Sequence, residues 1–175
     1  AEVTNIDCNG NGNGSIDLTV SGTSSYTVDW DNDGVGDADD NEDLSNLSAG
    51  TYSVTIEDLT TGCVSVLSED ILNPDPISIG STVTNILCNG DNNGAINVFL
   101  AGGSGPLTPT WSTIVAGNGI VINDTNQSGL EKGTYQIIVN DTNACSNSST
   151  FDIKESDTIS ISSVLTNVQC ADSLN

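Results

Sequence analysis

The chain has 175 residues, room for two small domains, and only 4% of them are aromatic. Its formal net charge is -22, with 24 acidic residues set against Lys132 and Lys154 and neither Arg nor His present. Such a surface repels phosphate backbones and anionic headgroups, which argues against nucleic acid and direct membrane insertion and favours divalent cations as partners; the plainer reading of the same charge is solubility or adaptation to salt water. Without His, a serine or cysteine nucleophile lacks its usual base, so an enzyme is not expected.

Hydrophobic residues alternate with polar ones at a period of two along most of the chain, the pattern of half-buried antiparallel strands. After Cys8 and a Gly- and Asn-rich turn come Ile16, Leu18 and Val20, then Tyr26, Val28 and Trp30, then Tyr52, Val54 and Ile56. Residues 64–71 supply a closing strand, and 77–85 lead onward. The scheme then recurs: Ile96, Val98 and Leu100; Leu107 and Trp111; Tyr135, Ile137 and Val139; a closing strand within 148–153; and a lead-out at 159–167. Cys88, Trp111, Tyr135 and Cys145 follow Cys8, Trp30, Tyr52 and Cys63 at offsets of 80 to 83 residues, and Cys170 lies 82 beyond Cys88. This predicts a tandem array cut from a longer chain: one unit at 1–76, a second at 77–157, and the start of a third at 158–175.

Six or seven short strands per unit, with a Trp in mid-unit and a Gly-Thr-Tyr opening a late strand, predict an all-β chain of tandem immunoglobulin-like β-sandwich repeats. On this reading Trp30 and Trp111 are core pins, the other reading being a sugar-stacking platform. Tyr52 and Tyr135 would be corner residues whose hydroxyls tie down a loop.

Cys8 with Cys63, and Cys88 with Cys145, stand near the two ends of each unit, with no Cys-x-x-Cys and no His to suggest zinc. One disulfide within each unit is the simpler expectation, leaving Cys170 unpaired and placing the protein outside the cell; free buried thiols are the alternative.

One segment breaks the repeat symmetry. Between residues 29 and 40, Asp29, Asp31, Asp33, Asp37 and Asp40 place carboxylates at positions one, three, five, nine and twelve of a twelve-residue loop, with Gly34 at six and the Val35 carbonyl at seven. These are calcium-loop positions, and Ca2+ is the expected ligand; with Asp39, Glu42 and Asp43, eight carboxylates fall within fifteen residues. The loop resembles the acidic calcium repeats of thrombospondin type 3 regions, and the bland alternative is a solvated acidic hairpin tip. Residues 112–128 of the second unit hold only Asp124, so no equivalent site is expected there.

Taken together, Cys8 to Ile16, Gly22 to Trp30, Leu44 to Asp58 and Gly62-Cys63 resemble the pattern of the SprB repeat family, from which the second unit departs at residues 106–109 and at Ala144. The resemblance implies a non-enzymatic segment of a very long extracellular, cell-surface adhesin, exported by the type IX secretion system and serving gliding motility and attachment. It implies neighbouring repeats of the same chain as partners, with surface polysaccharide or secretion-system components as further candidates. The alternative class is a glycan-binding or spacer module of a large secreted hydrolase. Thr158 and Ser173 stand in Asp-Ser/Thr-hydrophobic triplets that look like the O-glycosylation sites of exported proteins of the Bacteroidota, the phylum for which that family is known.

Overall fold

The computed structural model describes residues 1–31 and 40–166, and within them every regular element is a strand. The first six are β1 (Glu2–Thr4), β2 (Gly14–Asp17), β3 (Tyr26–Trp30), β4 (Leu44–Leu47), β5 (Gly50–Asp58) and β6 (Val64–Ile71). The second six are β7 (Ser78–Thr84), β8 (Gly94–Ala101), β9 (Thr108–Val115), β10 (Gln127–Leu130), β11 (Gly133–Asn140) and β12 (Ser146–Ile153).

All strand pairings are antiparallel, and the order β1-β2-β4 in one sheet with β3-β5-β6 in another is repeated by β7-β8-β10 and β9-β11-β12. If the six strands are lettered A, B, C, E, F and G, these are the A-B-E and C-F-G sheets of an immunoglobulin sandwich, with no D strand among the described residues. The alternating residues fill two separate cores. Ile6, Ile16, Leu18, Val28, Trp30, Leu47, Val54 and Ile71 form the first. Ile77, Ile86, Ile96, Val98, Trp111, Leu130, Tyr135, Ile137, Val139, Phe151 and Ile153 form the second. Trp30 and Trp111 are fully buried, so neither presents a stacking face to a sugar.

Two recurring details explain why the halves share residues at particular points. A Cβ on Gly14 would meet Ile71 Cγ2 at 2.6 Å, and one on Gly94 would meet Ile153 Cγ2 at 2.7 Å, so the start of β2 or β8 lies against the facing sheet too closely for any side chain. The Tyr52 hydroxyl donates to the Ser48 carbonyl at 3.0 Å, and that of Tyr135 to the Glu131 and Asn118 carbonyls at 2.7 and 3.0 Å. Both are tyrosine corners, the hydroxyl reaching back four residues near the start of strand F.

Candidate functional site

With the two cores separate, the structure concentrates specific contacts between the halves at one junction. The chain passes from β6 to β7 through Leu72, Asn73, Pro74, Asp75, Pro76 and Ile77, and the turn after Cys8 clasps this linker from the first unit's side. Ile6 N donates to Leu72 O and Leu72 N to Asn5 Oδ1; Asn9 Nδ2 donates to Pro74 O at 2.8 Å, and Gly10 N to Asn73 Oδ1 at 3.1 Å. From the second unit, Gly103 N donates to Asp75 O at 2.8 Å and Asn143 Nδ2 to Asp7 O at 3.1 Å. A cleft of about 420 Å³ lies between them, lined by Asn9, Pro74, Asp75, Gly103 and Asp141 among others.

A disulfide closes this junction. It joins Cys8 to Cys145, with Cα atoms 5.5 Å apart and a sequence separation of 137, while Cys63 and Cys88 are free and exposed. The expected pairings of Cys8 with Cys63 and of Cys88 with Cys145 are therefore corrected: the bridge runs between units, not within one. The reason is strand length. Gly14, near the Cys8 turn, packs on Ile71 at the end of β6, whereas Cys63 precedes the start of that strand, eight residues away. Eight residues of strand span about 26 Å. Two cysteines can be bridged only when their Cα atoms lie within about 7 Å. The first and last cysteines of one sandwich thus sit at opposite poles, and serial stacking brings the last of the second to the first of the first.

Asp141 organises the second unit's side of the junction. Its Oδ2 accepts from Ser104 N at 2.8 Å, and its Oδ1 from Asn143 N at 2.9 Å and Cys145 N at 3.0 Å. These amide donors, that of Ser104 first, hold its pKa below the ordinary carboxylate value. Asp7 opposite is likewise lowered, chiefly by the side-chain amides of Asn11 and Asn13. Spacing alone singled out neither aspartate; the signal available in the sequence was their position, Asp7 one residue before a cysteine and Asp141 four before another.

Of the six candidate calcium ligands, Asp33, Val35 and Asp37 lie outside the described residues. Asp29 lies on β3, paired with Thr55. Asp31 Oδ1 accepts from Ser53 N at 2.9 Å, and Asp40 Oδ2 from Trp30 N at 2.6 Å while Asp40 N donates to Val28 O, so both ends of the loop are fastened to β3 and β5. Among the described residues no three acidic or sulfur ligands converge where an ion could sit. Two further carboxylates of the cluster are structural struts. Asp43 Oδ1 accepts from Leu18 N at 3.0 Å, as Asn126 Oδ1 does from Val98 N in the second unit, and Glu42 accepts from the Tyr26 hydroxyl. The second unit's corresponding loop is closed without acids: buried Gln127 bonds Val121 N, Val121 O and Asp124 O, and Trp111 Nε1 donates to Asp124 O. Thr158 is exposed beyond β12, and Ser173 and Cys170 lie outside the described residues.

No curated protein matches the chain. Among solved structures, the amphioxus IgVJ-C2 molecule is similar at 16% identity, over 82% of this chain and 97% of that one, with a TM-score of 0.40. A likeness at that level adds nothing to the strand order already described. The family model named SprB repeat matches residues 1–35 and 80–116, which take in β1 to β3 and run from β7 through β9. The two matches fall one at the opening of each unit, and over those stretches the chain is similar to SprB repeats.

Proposed function

We propose that the chain is a load-bearing stretch of a large secreted cell-surface adhesin, exported by type IX secretion and used in gliding motility and attachment. The observation that carries this reading is the junction: a disulfide and a clasped, proline-containing linker tie one sandwich to the next, which suits a module used in series under tension and an oxidising location outside the cell. The SprB repeat matches support the same reading. In it the partners are neighbouring repeats, with surface polysaccharide or secretion-system components at the ends of the filament. The acidic loop from Asp29 to Asp40 takes Ca2+ and stiffens the first unit, and Thr158 is an exposed O-glycan acceptor.

The test is antibody labelling of intact cells of the source organism. Label on unpermeabilised cells that travels along the surface during gliding is expected. Label confined to permeabilised cells would overturn the reading.

A further inference from the structure

Cys63 and Cys88 are left over by the Cys8–Cys145 bridge, yet each stands in the same setting as one of the bridged cysteines. Around Cys88 the second unit reproduces the clasp of Cys8. Lys154 N donates to Asn85 Oδ1 and Ile86 N to Lys154 O, as Leu72 N does to Asn5 Oδ1 and Ile6 N to Leu72 O. Asn89 Nδ2 donates to Ser156 O at 3.2 Å, as Asn9 does to Pro74 O, and Gly90 N bonds Glu155 as Gly10 N bonds Asn73. Asp91 N closes the turn on Cys88 O at 3.1 Å, as Asn11 N does on Cys8 O at 3.0 Å.

Around Cys63 the first unit reproduces the setting of Cys145. Asp58 N donates to Cys63 O at 2.9 Å, as Asp141 N does to Cys145 O at 3.0 Å. The preceding residues, Gly62 and Ala144, both take positive φ, at 70° and 64°. Asp58 accepts from the amide two residues on, as Asp141 does.

The seat beside Cys63 is also open where its counterpart is filled. A Cβ on Gly102 would come within 2.0 Å of Pro76 O, because the linker lies on that glycine; the equivalent Gly22, at a similar φ of +92°, has nothing within 4 Å. A cleft of about 340 Å³ lies there, lined by Gly22, Thr23, Asp58 and Cys63 among others.

We propose that Cys63 and Cys88 are the two half-sites of the same inter-unit staple. Cys63, with the open Gly22 seat, receives the linker and Cys-Asn-Gly turn of a unit placed before it, and Cys88 receives the cysteine before the closing strand of a unit placed after it. Each first cysteine bonds the last cysteine of the following unit, so the bridges form an unbroken series. Each bond forms from two thiols, whose two protons and two electrons pass to the disulfide of a thiol–disulfide oxidoreductase, which is reduced to its dithiol. This goes beyond the adhesin reading and depends only on units standing in series in an oxidising compartment, so labelling of cells and the experiment below fail independently.

The test is a head-to-tail duplicate, residues 1–162 followed by 1–175, which preserves the 82-residue spacing from Cys88 to Cys170. Both forms carry Cys170→Ser and are refolded in a glutathione redox buffer, oxidised glutathione accepting the electrons. In the first, Cys63→Ser in the leading copy and Cys88→Ser in the trailing copy leave Cys88 ahead of Cys63 across the new junction. In the second, the same substitutions are exchanged between copies, leaving the two cysteines at the outer positions. Cys8–Cys145 bridges in both copies report correct folding. With those in place, the first form is expected to show no alkylatable thiol and a Cys63 peptide joined to a Cys88 peptide, and the second to show two alkylatable thiols. Two free thiols in the first form, or the joined peptide in the second, would overturn the proposal.

Discussion

At the residue scale the glycines at the start of β2 and β8 set a steric limit. Gly14→Ala would push a methyl to 2.6 Å from Ile71 Cγ2 and 3.1 Å from Leu47 O, so the sheets must part locally. Overpacking of this kind costs about 1–3 kcal/mol. Urea unfolding of the chain should show that loss, and Gly94→Ala should match it, since Ile153 and Leu130 O crowd the second site in the same way. Asp141 gives a pH dependence. Its pKa is lowered in the fold by amide donors, so the stability it contributes is present above the unfolded carboxylate value of about 3.9 and is lost as pH falls through the lower folded value. Replacing it with Asn should lower the melting temperature at neutral pH and flatten the acid limb of the stability curve; an unchanged acid limb would mean that other carboxylates govern it.

Among elements, the two tyrosine corners differ in depth. Tyr135 is fully buried and serves two carbonyls, whereas Tyr52 serves one at a more exposed site. Burial is the chief reason the Tyr135 hydroxyl titrates above its usual value. Tyr135→Phe should therefore cost about 1–3 kcal/mol and Tyr52→Phe less, as read by denaturant midpoints. The acidic loop has its own test. Asp31 and Asp40 already hold backbone amides, so Asp33→Asn with Asp37→Asn is the cleaner pair to remove. If the loop binds Ca2+ with a dissociation constant of about 10⁻⁴ to 10⁻³ M, then 10 mM calcium adds about 1.4 to 2.7 kcal/mol to the first unit. Calorimetry of the whole chain should show one transition rise with calcium and the other stay, with the rise abolished in the double variant; no rise would leave the loop a solvated surface.

The long strands were legible in the sequence because Tyr52-Val54-Ile56 and Tyr135-Ile137-Val139 alternate without interruption. The short β4 and β10 were not. Each is four residues long and broken by a positive φ, 57° at Asn46 and 69° at Gly129, with a register shift where it meets β2 or β8, and such a bulge erases the period of two. Gln127 was hidden for a related reason: a polar residue in a strand reads as outward-facing, yet this one turns inward to close a loop.

For the whole molecule, equivalence of positions revealed which cysteines matter but could not distinguish a bridge inside a unit from one between units, because the same spacing serves both. The geometry of the sandwich decides it, and with it the character of the chain: two independent cores joined by one covalent, clasped junction. Replacing Cys8 and Cys145 together with Ser should leave both cores folded while freeing the junction, so scattering should show a broader distribution of particle dimensions with little change in either unit's unfolding midpoint. The most direct measurement is peptide mapping of the oxidised chain after alkylation without reduction. A Cys8 peptide joined to a Cys145 peptide is expected, with Cys63 and Cys88 both alkylated. Cys8 joined to Cys63, together with Cys88 joined to Cys145, would contradict it.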